Sequence, residues 1–162
     1  MCYLIPSFTG IAGHWGECSI IRAATQKLVS GYPDGTFRPN NSVTRAEFTA
    51  MLVGALKLDG TGVALDFTDQ AKIGAWAKRA VALAVQTGIV SECEDGSFRP
   101  DAQITRAEMA SMIANALKVP FDANAQTGFA DDEDIPNWAK CAVGSGSHAT
   151  QNAGSSGARI NQ

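Results

Sequence analysis

The chain has 162 residues, 45% of them hydrophobic, and 13 basic against 16 acidic side chains give a net charge of −3. That length fits one domain or a few small repeated units, and the apolar content is enough for a folded core. A pI near 5.3 without any basic block excludes a nucleic-acid binder that works by neutralising phosphates, and the longest apolar-looking stretch, residues 75–85, carries Lys78 and Arg79 and is far short of a membrane span.

The N-terminus, Met1-Cys2-Tyr3-Leu4-Ile5-Pro6, has no basic region, long apolar segment or cleavage site. The expectation is a chain that is cytoplasmic, already processed, or a fragment of a larger exported protein. Four cysteines, Cys2, Cys18, Cys93 and Cys141, lack the close pairing of a zinc ribbon, and as disulfides they leave three connectivities open.

In chain order, the pattern predicts a helix over about residues 14–27, closed at Lys27, and then a loop Gly31-Tyr32-Pro33-Asp34-Gly35 with strong turn chemistry. Thr44 followed three residues later by Glu47 is a capping box, behind which Ala46, Met51, Leu52, Ala55 and Leu56 form an apolar helical face. A third helix is expected over about residues 73–86, with Ala77, Ala80, Val81, Ala84 and Val85 on its apolar face and Gly88 at its C-terminus. Thr105 and Glu108 open a fourth, whose apolar positions are Ala107, Met112, Ile113, Ala116 and Leu117.

These elements repeat. Asp34-Gly35-Thr36-Phe37-Arg38-Pro39 returns as Asp95-Gly96-Ser97-Phe98-Arg99-Pro100, Thr44-Arg45-Ala46-Glu47 as Thr105-Arg106-Ala107-Glu108, and Trp15 as Trp76, all at one spacing of 61 residues. A third copy begins with Phe129, Asp131 and Trp138 and then stops matching after Cys141, where a small, polar tail follows. The expected organisation is therefore repeat one over 8–58, repeat two over 66–119, the start of repeat three over 129–142, and a low-complexity, disordered tail over 143–162.

Arg45 and Arg106 are the first candidates for chemistry. Each stands at the first position of a helix, where the positive dipole end disfavours it, and a helix N-terminus with a guanidinium fork makes a receptor for a carboxylate or phosphate. The alternative is that each arginine pairs with a nearby acid or faces solvent. Trp15 and Trp76 read more simply as core anchors than as sugar-stacking platforms. Phe37 and Phe98 read as pins that hold the loops on the helices, and Arg38 and Arg99 as loop-fixing donors.

An EF-hand reading of the Asp-Gly loops fails because the acidic ligand ladder and its terminal glutamate are missing, so no metal is expected. The acid run Asp131-Asp132-Glu133-Asp134 reads as a solvated helix lead-in rather than a weak calcium site. Only two histidines occur, His14 and His148, and no nucleophile elbow, P-loop or zinc-protease motif appears. Neither an enzyme nor a cofactor is expected.

Gly31-Tyr32-Pro33-Asp34-Gly35-Thr36-Phe37-Arg38-Pro39 followed by Val43-Thr44-Arg45-Ala46-Glu47-Phe48 resembles the S-layer homology (SLH) domain. The second repeat carries the same resemblance through Phe67, Asp69, Trp76-Ala77, Gly88-Ile89 and Thr105-Arg106-Ala107-Glu108. The resemblance implies an all-α fold of helix-loop-helix units in a pseudo-threefold bundle, here with its third unit incomplete. It implies an exported module at the bacterial cell surface that binds, without covalent linkage, a secondary cell-wall polymer carrying pyruvylated sugars, or peptidoglycan itself. Arg45 and Arg106 carry over as ligand contacts, and Trp15, Gly31, Tyr32 and Trp76 as groove walls. Two other readings stand beside it: self-assembly of a surface-layer protein as a homo-oligomer, and the non-catalytic anchoring end of a cell-surface glycoside hydrolase. Gly10 stands in place of the aspartate of the Phe-x-Asp element, Lys27 in place of a glycine, and Glu92-Cys93-Glu94 in place of Gly31-Tyr32-Pro33.

Overall fold

The computed structural model describes residues 7–93 and 95–120, with residues 130, 132–134 and 139 beyond them. Phe129, Asp131, Trp138, Cys2, Glu94, Cys141, His148 and the 143–162 tail lie outside the described residues. The α-helices are α1 (Glu17–Thr25), α2 (Arg45–Ala55), α3 (Ala75–Gln86) and α4 (Arg106–Ala116), with short 3-10 turns at Gln70–Lys72 and Asp132–Asp134. Extended pairing among the described residues is confined to single bridges, Thr9 with Thr36 and Thr44 with Gln103, so the fold is all-α as expected.

Helix limits follow local chemistry. The first helix opens at Glu17 rather than near His14, because the His14 ring accepts the Gly16 N–H at 3.1 Å and the Glu17 carboxylate accepts the Gly13 N–H at 2.9 Å, which fixes a turn ahead of it. Both capping boxes form: each threonine hydroxyl accepts from the glutamate N–H three residues on, and each glutamate accepts the threonine N–H at 2.8 Å. Lys27 has φ +59°, matching Gly88 at +72°, and Lys57 and Lys118 likewise follow helices at +52° and +54°. A lysine tolerates the left-handed turn there because its charge meets the negative helix end.

The chain forms two compact bodies whose boundary cuts through repeat two: residues up to Thr87 with Ser91–Gln103, and Gly88–Val90 with residues from Ile104 onward. In the first body α2 packs along α3. The buried stripe of α2 is Ala46, Thr49 and Val53, narrower than the expected face; Met51, Leu52 and Leu56 are half-buried and Ala55 is exposed. Thr49 is accommodated in the interior because its hydroxyl donates to the Arg45 carbonyl at 2.7 Å. The third helix buries Ala77, Val81, Ala82, Leu83 and Ala84, three alanines among them keeping that face low. Ile73, Phe67 and Phe98 complete this core.

The second body buries Ile89, Val90 and Met112, and the Asn115 side chain donates to the Ile89 carbonyl. Ile113 and Leu117 on α4 remain exposed. Ala139, the counterpart of Ala77, is helical and fully buried.

The two loops are built alike. In repeat one the Asp34 carboxylate accepts from the Thr36 hydroxyl and N–H and pairs with Arg38. In repeat two Asp95 accepts from Ser97 in the same way and pairs with Arg99 at 2.8 Å. Arg38 and Arg99 are thus the loop-fixing donors expected, both at positive φ. Phe8 meets Phe37 and Phe67 meets Phe98 at the same 5.4 Å ring separation. The repeats part at the next step. Asp69 accepts the Phe98 and Arg99 N–H groups, each at 2.8 Å, whereas with Gly10 in its place the Phe37 N–H turns to the Thr9 carbonyl at 3.4 Å.

Asp69→Ala, which strips two charge-assisted bonds from the second loop, is expected to lower stability by about 2–3 kcal/mol in urea denaturation. Hydrogen bonds from the Thr36 hydroxyl and N–H, against some desolvation and with help from Arg38, lower the Asp34 carboxyl to about 2, and Ser97 and Arg99 hold Asp95 well below the usual carboxylate range. Folded-state values below the unfolded ones mean a contribution that is complete above the ordinary carboxylate pKa and fades as the folded-state pKa is crossed. The urea midpoint should therefore hold from neutral pH down to about pH 5 and fall between about pH 4 and 2. An Asp34→Asn, Asp95→Asn double variant should flatten that fall.

Candidate functional site

The first body carries an open groove of about 930 Å3 on repeat one, with Lys27, Gly31, Tyr32, Glu47, Met51 and Trp76 among its walls. Its position follows from the repeat: the end of α1, the turn-rich loop and the first turns of α2 form three sides, and Trp76 at the start of α3 forms a fourth.

Tyr32 is held from two directions. Its hydroxyl donates to Glu47 at 2.8 Å, and the Arg38 guanidinium lies 4.4 Å from its ring centroid. The bond to Glu47 is the main reason the Tyr32 hydroxyl titrates above its ordinary value, with burial adding to it. Burial pushes the Glu47 carboxyl up, but the Thr44 N–H, the Tyr32 hydroxyl and the Thr44 hydroxyl outweigh it and hold the group below its ordinary value. Glu47 therefore stays ionised while joining the helix cap to the groove wall. Gly31 is required for space rather than for backbone angle. A Cβ there would lie 2.6 Å from the Phe8 ring and 2.8 Å from the Thr36 carbonyl oxygen.

Of the residues singled out from sequence, Gly31, Tyr32 and Trp76 line this groove together, and Trp15, Arg45 and Arg106 are not among its lining residues. The expectation that the two tryptophans anchor the core is corrected. Trp15 is 93% exposed, resting beside the His14 ring at 5.3 Å, and Trp76 is 63% exposed. The reason is that both stand on the outer side of a helix start, while the core volume beside α3 is taken by Ile73, Phe67 and Phe98. The phenylalanines are the pins: Phe98 is fully buried and Phe37 half-buried.

The two helix-start arginines have opposite settings. Arg45 is 9% exposed; its guanidinium lies 5.5 Å from the Phe98 ring centroid and donates to the Ser91 carbonyl at 3.3 Å. Its own N–H donates to the Ala102 carbonyl at 2.9 Å, and the Ala46 N–H to the Pro100 carbonyl at 3.1 Å. The first turn of α2 is thus seated on the loop of repeat two. Arg106 is exposed at the start of α4. Sequence reasoning missed this difference and missed Lys27, Ser30 and Asn41 as groove residues; the usable signal was the repeat, which places Ser30 and Asn41 at the positions of Ser91 and Ala102.

Arg45→Ala removes a buried guanidinium from Phe98 and Ser91 and should cost about 2–3 kcal/mol in chemical denaturation. Arg106→Ala should stay within about 0.5 kcal/mol of the parent, since an exposed cation at a helix start is at best neutral.

The S-layer homology domain family matches residues 7–49 and 66–110. An amylopullulanase of Thermoanaerobacterium thermosulfurigenes is 33% identical over 141 residues, covering 85% of this chain and 8% of that protein. A cellulosome-anchoring protein of Acetivibrio thermocellus is 38% identical over 108 residues, 65% of this chain and 24% of that protein. S-layer protein EA1 of Bacillus anthracis is 28% identical over 128 residues, 78% of this chain and 15% of that protein. The chain thus spans less than a quarter of the length of each of these relatives. Two matched segments, each with its own capping box, Asp-Gly loop and buried or half-buried phenylalanine pin, place this chain in the S-layer homology domain family.

Proposed function

We propose that this chain is a non-catalytic module that fastens a protein to the bacterial cell surface by binding an anionic, pyruvylated polysaccharide of the cell wall. The observation that carries this reading is the groove on repeat one. A tryptophan face left to solvent at 63% is an expensive choice unless something apolar lies against it, and the face of a sugar ring is a suitable cover. Tyr32 is already fixed by Glu47 and Arg38, so no side-chain freedom is lost there when a ligand arrives. Arg106 supplies an exposed cation at a helix start for a carboxylate, and Trp15 a second exposed aromatic face. Arg45 serves such a site from behind by seating α2 on repeat two; a direct contact with ligand would require it to leave Phe98 and Ser91.

Relatives named as an amylopullulanase, a cellulosome-anchoring protein and an S-layer protein fit a module attached to unlike cargoes. On this reading turnover belongs to other parts of such proteins. A second reading, self-assembly, is favoured by the exposed Ile113 and Leu117 on α4.

The test is cosedimentation of the purified chain with wall sacculi before and after chemical removal of the secondary polymer. The expected outcome is binding that disappears with the polymer and weakens at least tenfold in Trp76→Ala, with the denaturation midpoint unchanged. Binding that survives removal of the polymer would redirect the reading to peptidoglycan.

A further inference from the structure

The groove on repeat one is the counterpart of a surface that is filled on repeat two. There the first turn of α2 sits in a socket made of five positions. Thr44 bridges to Gln103, the Arg45 N–H bonds the Ala102 carbonyl, and the Ala46 N–H bonds the Pro100 carbonyl. The Arg45 guanidinium reaches the Ser91 carbonyl and covers Phe98. The same spacing of 61 residues that relates the repeats maps these positions onto Ser42, Asn41, Pro39, Ser30 and Phe37. All five line the open groove.

The counterpart socket is not merely similar in sequence. Its loop repeats the backbone bonding of the filled one. The Tyr32 N–H bonds the Thr36 carbonyl as Cys93 bonds Ser97, Gly35 bonds Tyr32 as Gly96 bonds Cys93, and Asn41 bonds Arg38 as Ala102 bonds Arg99. The Ser30, Pro39 and Asn41 carbonyls are thereby presented as those of Ser91, Pro100 and Ala102 are, and among the described residues nothing bonds them.

The piece that fits such a socket is also present. The first turn of α4, Thr105-Arg106-Ala107, has the residues and the capping box of Thr44-Arg45-Ala46. Arg106 is exposed where Arg45 is buried, and among the described residues the Arg106 and Ala107 N–H groups, donors every helix start must satisfy elsewhere, have no backbone acceptor.

We propose that the first turn of α4 of one chain docks in the repeat-one groove of a second copy, as α2 docks on the loop of repeat two within each chain. The contact is head-to-tail: each copy offers one helix start and one socket, so assembly continues until a ring closes or a filament grows. Polymer and neighbouring chain are alternative occupants of one groove, and assembly is therefore read with no saccharide present.

Sedimentation velocity of the whole chain, without wall material, should show an average mass that rises with concentration. Arg106→Ala, which removes the guanidinium, and Ser30→Trp, which fills the socket, should each weaken self-association at least tenfold while circular dichroism stays that of the parent. Mixed together, these two variants should restore association but stop at dimers, because each chain then retains only one working half of the contact. A parent chain that stays monomeric across the concentration range overturns the proposal, as does a mixture that assembles no better than either variant alone. Neither of these results bears on wall binding, which the sacculus experiment reads separately.

Discussion

A guanidinium laid on a phenyl ring joins the two repeats. Arg45 comes from the first turn of α2, Phe98 from the loop 53 residues later in the other repeat, and between them they fix where the helix meets the loop. Neither would be stable there alone. Phe98 meets Phe67 and the Arg45 guanidinium, and Arg45, buried at a helix start whose dipole repels it, needs acceptors and an electron-rich face. The Ser91 carbonyl and the ring supply these, while the two N–H groups of the same turn are satisfied by Ala102 and Pro100. A charged side chain usually destabilises an interior; here the carbonyl and the ring face offset that cost.

That joint explains why the compact bodies do not follow the sequence repeats. Among the described residues α2 packs along α3, the last helix of one repeat with the first of the next. The repeat is the unit of duplication, but the unit of folding straddles its boundary, as in other arrays whose elements bury their faces only against neighbours. Differences between the repeats then have local causes. Asp69 ties down the second loop with two bonds, while the first loop, with Gly10 in that place, is tied instead by Tyr32 to Glu47 and by Arg38 to Tyr32. Cys93 replaces Tyr32 in the second loop, so the two loops share their internal bonds but are tied to their surroundings by different ones.

Local chemistry was legible in the sequence. The capping boxes at Thr44 and Thr105 and the donor roles of Arg38 and Arg99 depend on residues within a few positions of one another, and each appears as expected. What was not legible depends on pairing across the chain. The pattern gives α2 an apolar face of Ala46, Met51, Leu52, Ala55 and Leu56, yet the stripe that is buried is Ala46, Thr49 and Val53. The equal positions of Trp15 and Trp76 near helix starts point to core anchors, an expectation that assumes burial is the better use of a large aromatic surface. Identical motifs at Arg45 and Arg106 carried no hint of opposite burial, since that is decided by what lies in front of each helix start.

The last point generalises to any linear series of such units. When a helix start of one unit fills a socket on the next, two units make one joint and leave one socket and one helix start unmatched. The unmatched socket is a second copy of the filled one: Asp34-Gly35 shapes the open groove at Phe37 as Asp95-Gly96 shapes the filled one at Phe98. Its carbonyls and aromatic surface therefore stay available to whatever offers donors and an apolar face. A saccharide stacked on Trp76 and a helix start carrying Arg106 both meet that description. The open groove and the packed joint are two copies of one motif, one covered by the start of α2 and the other not covered by it.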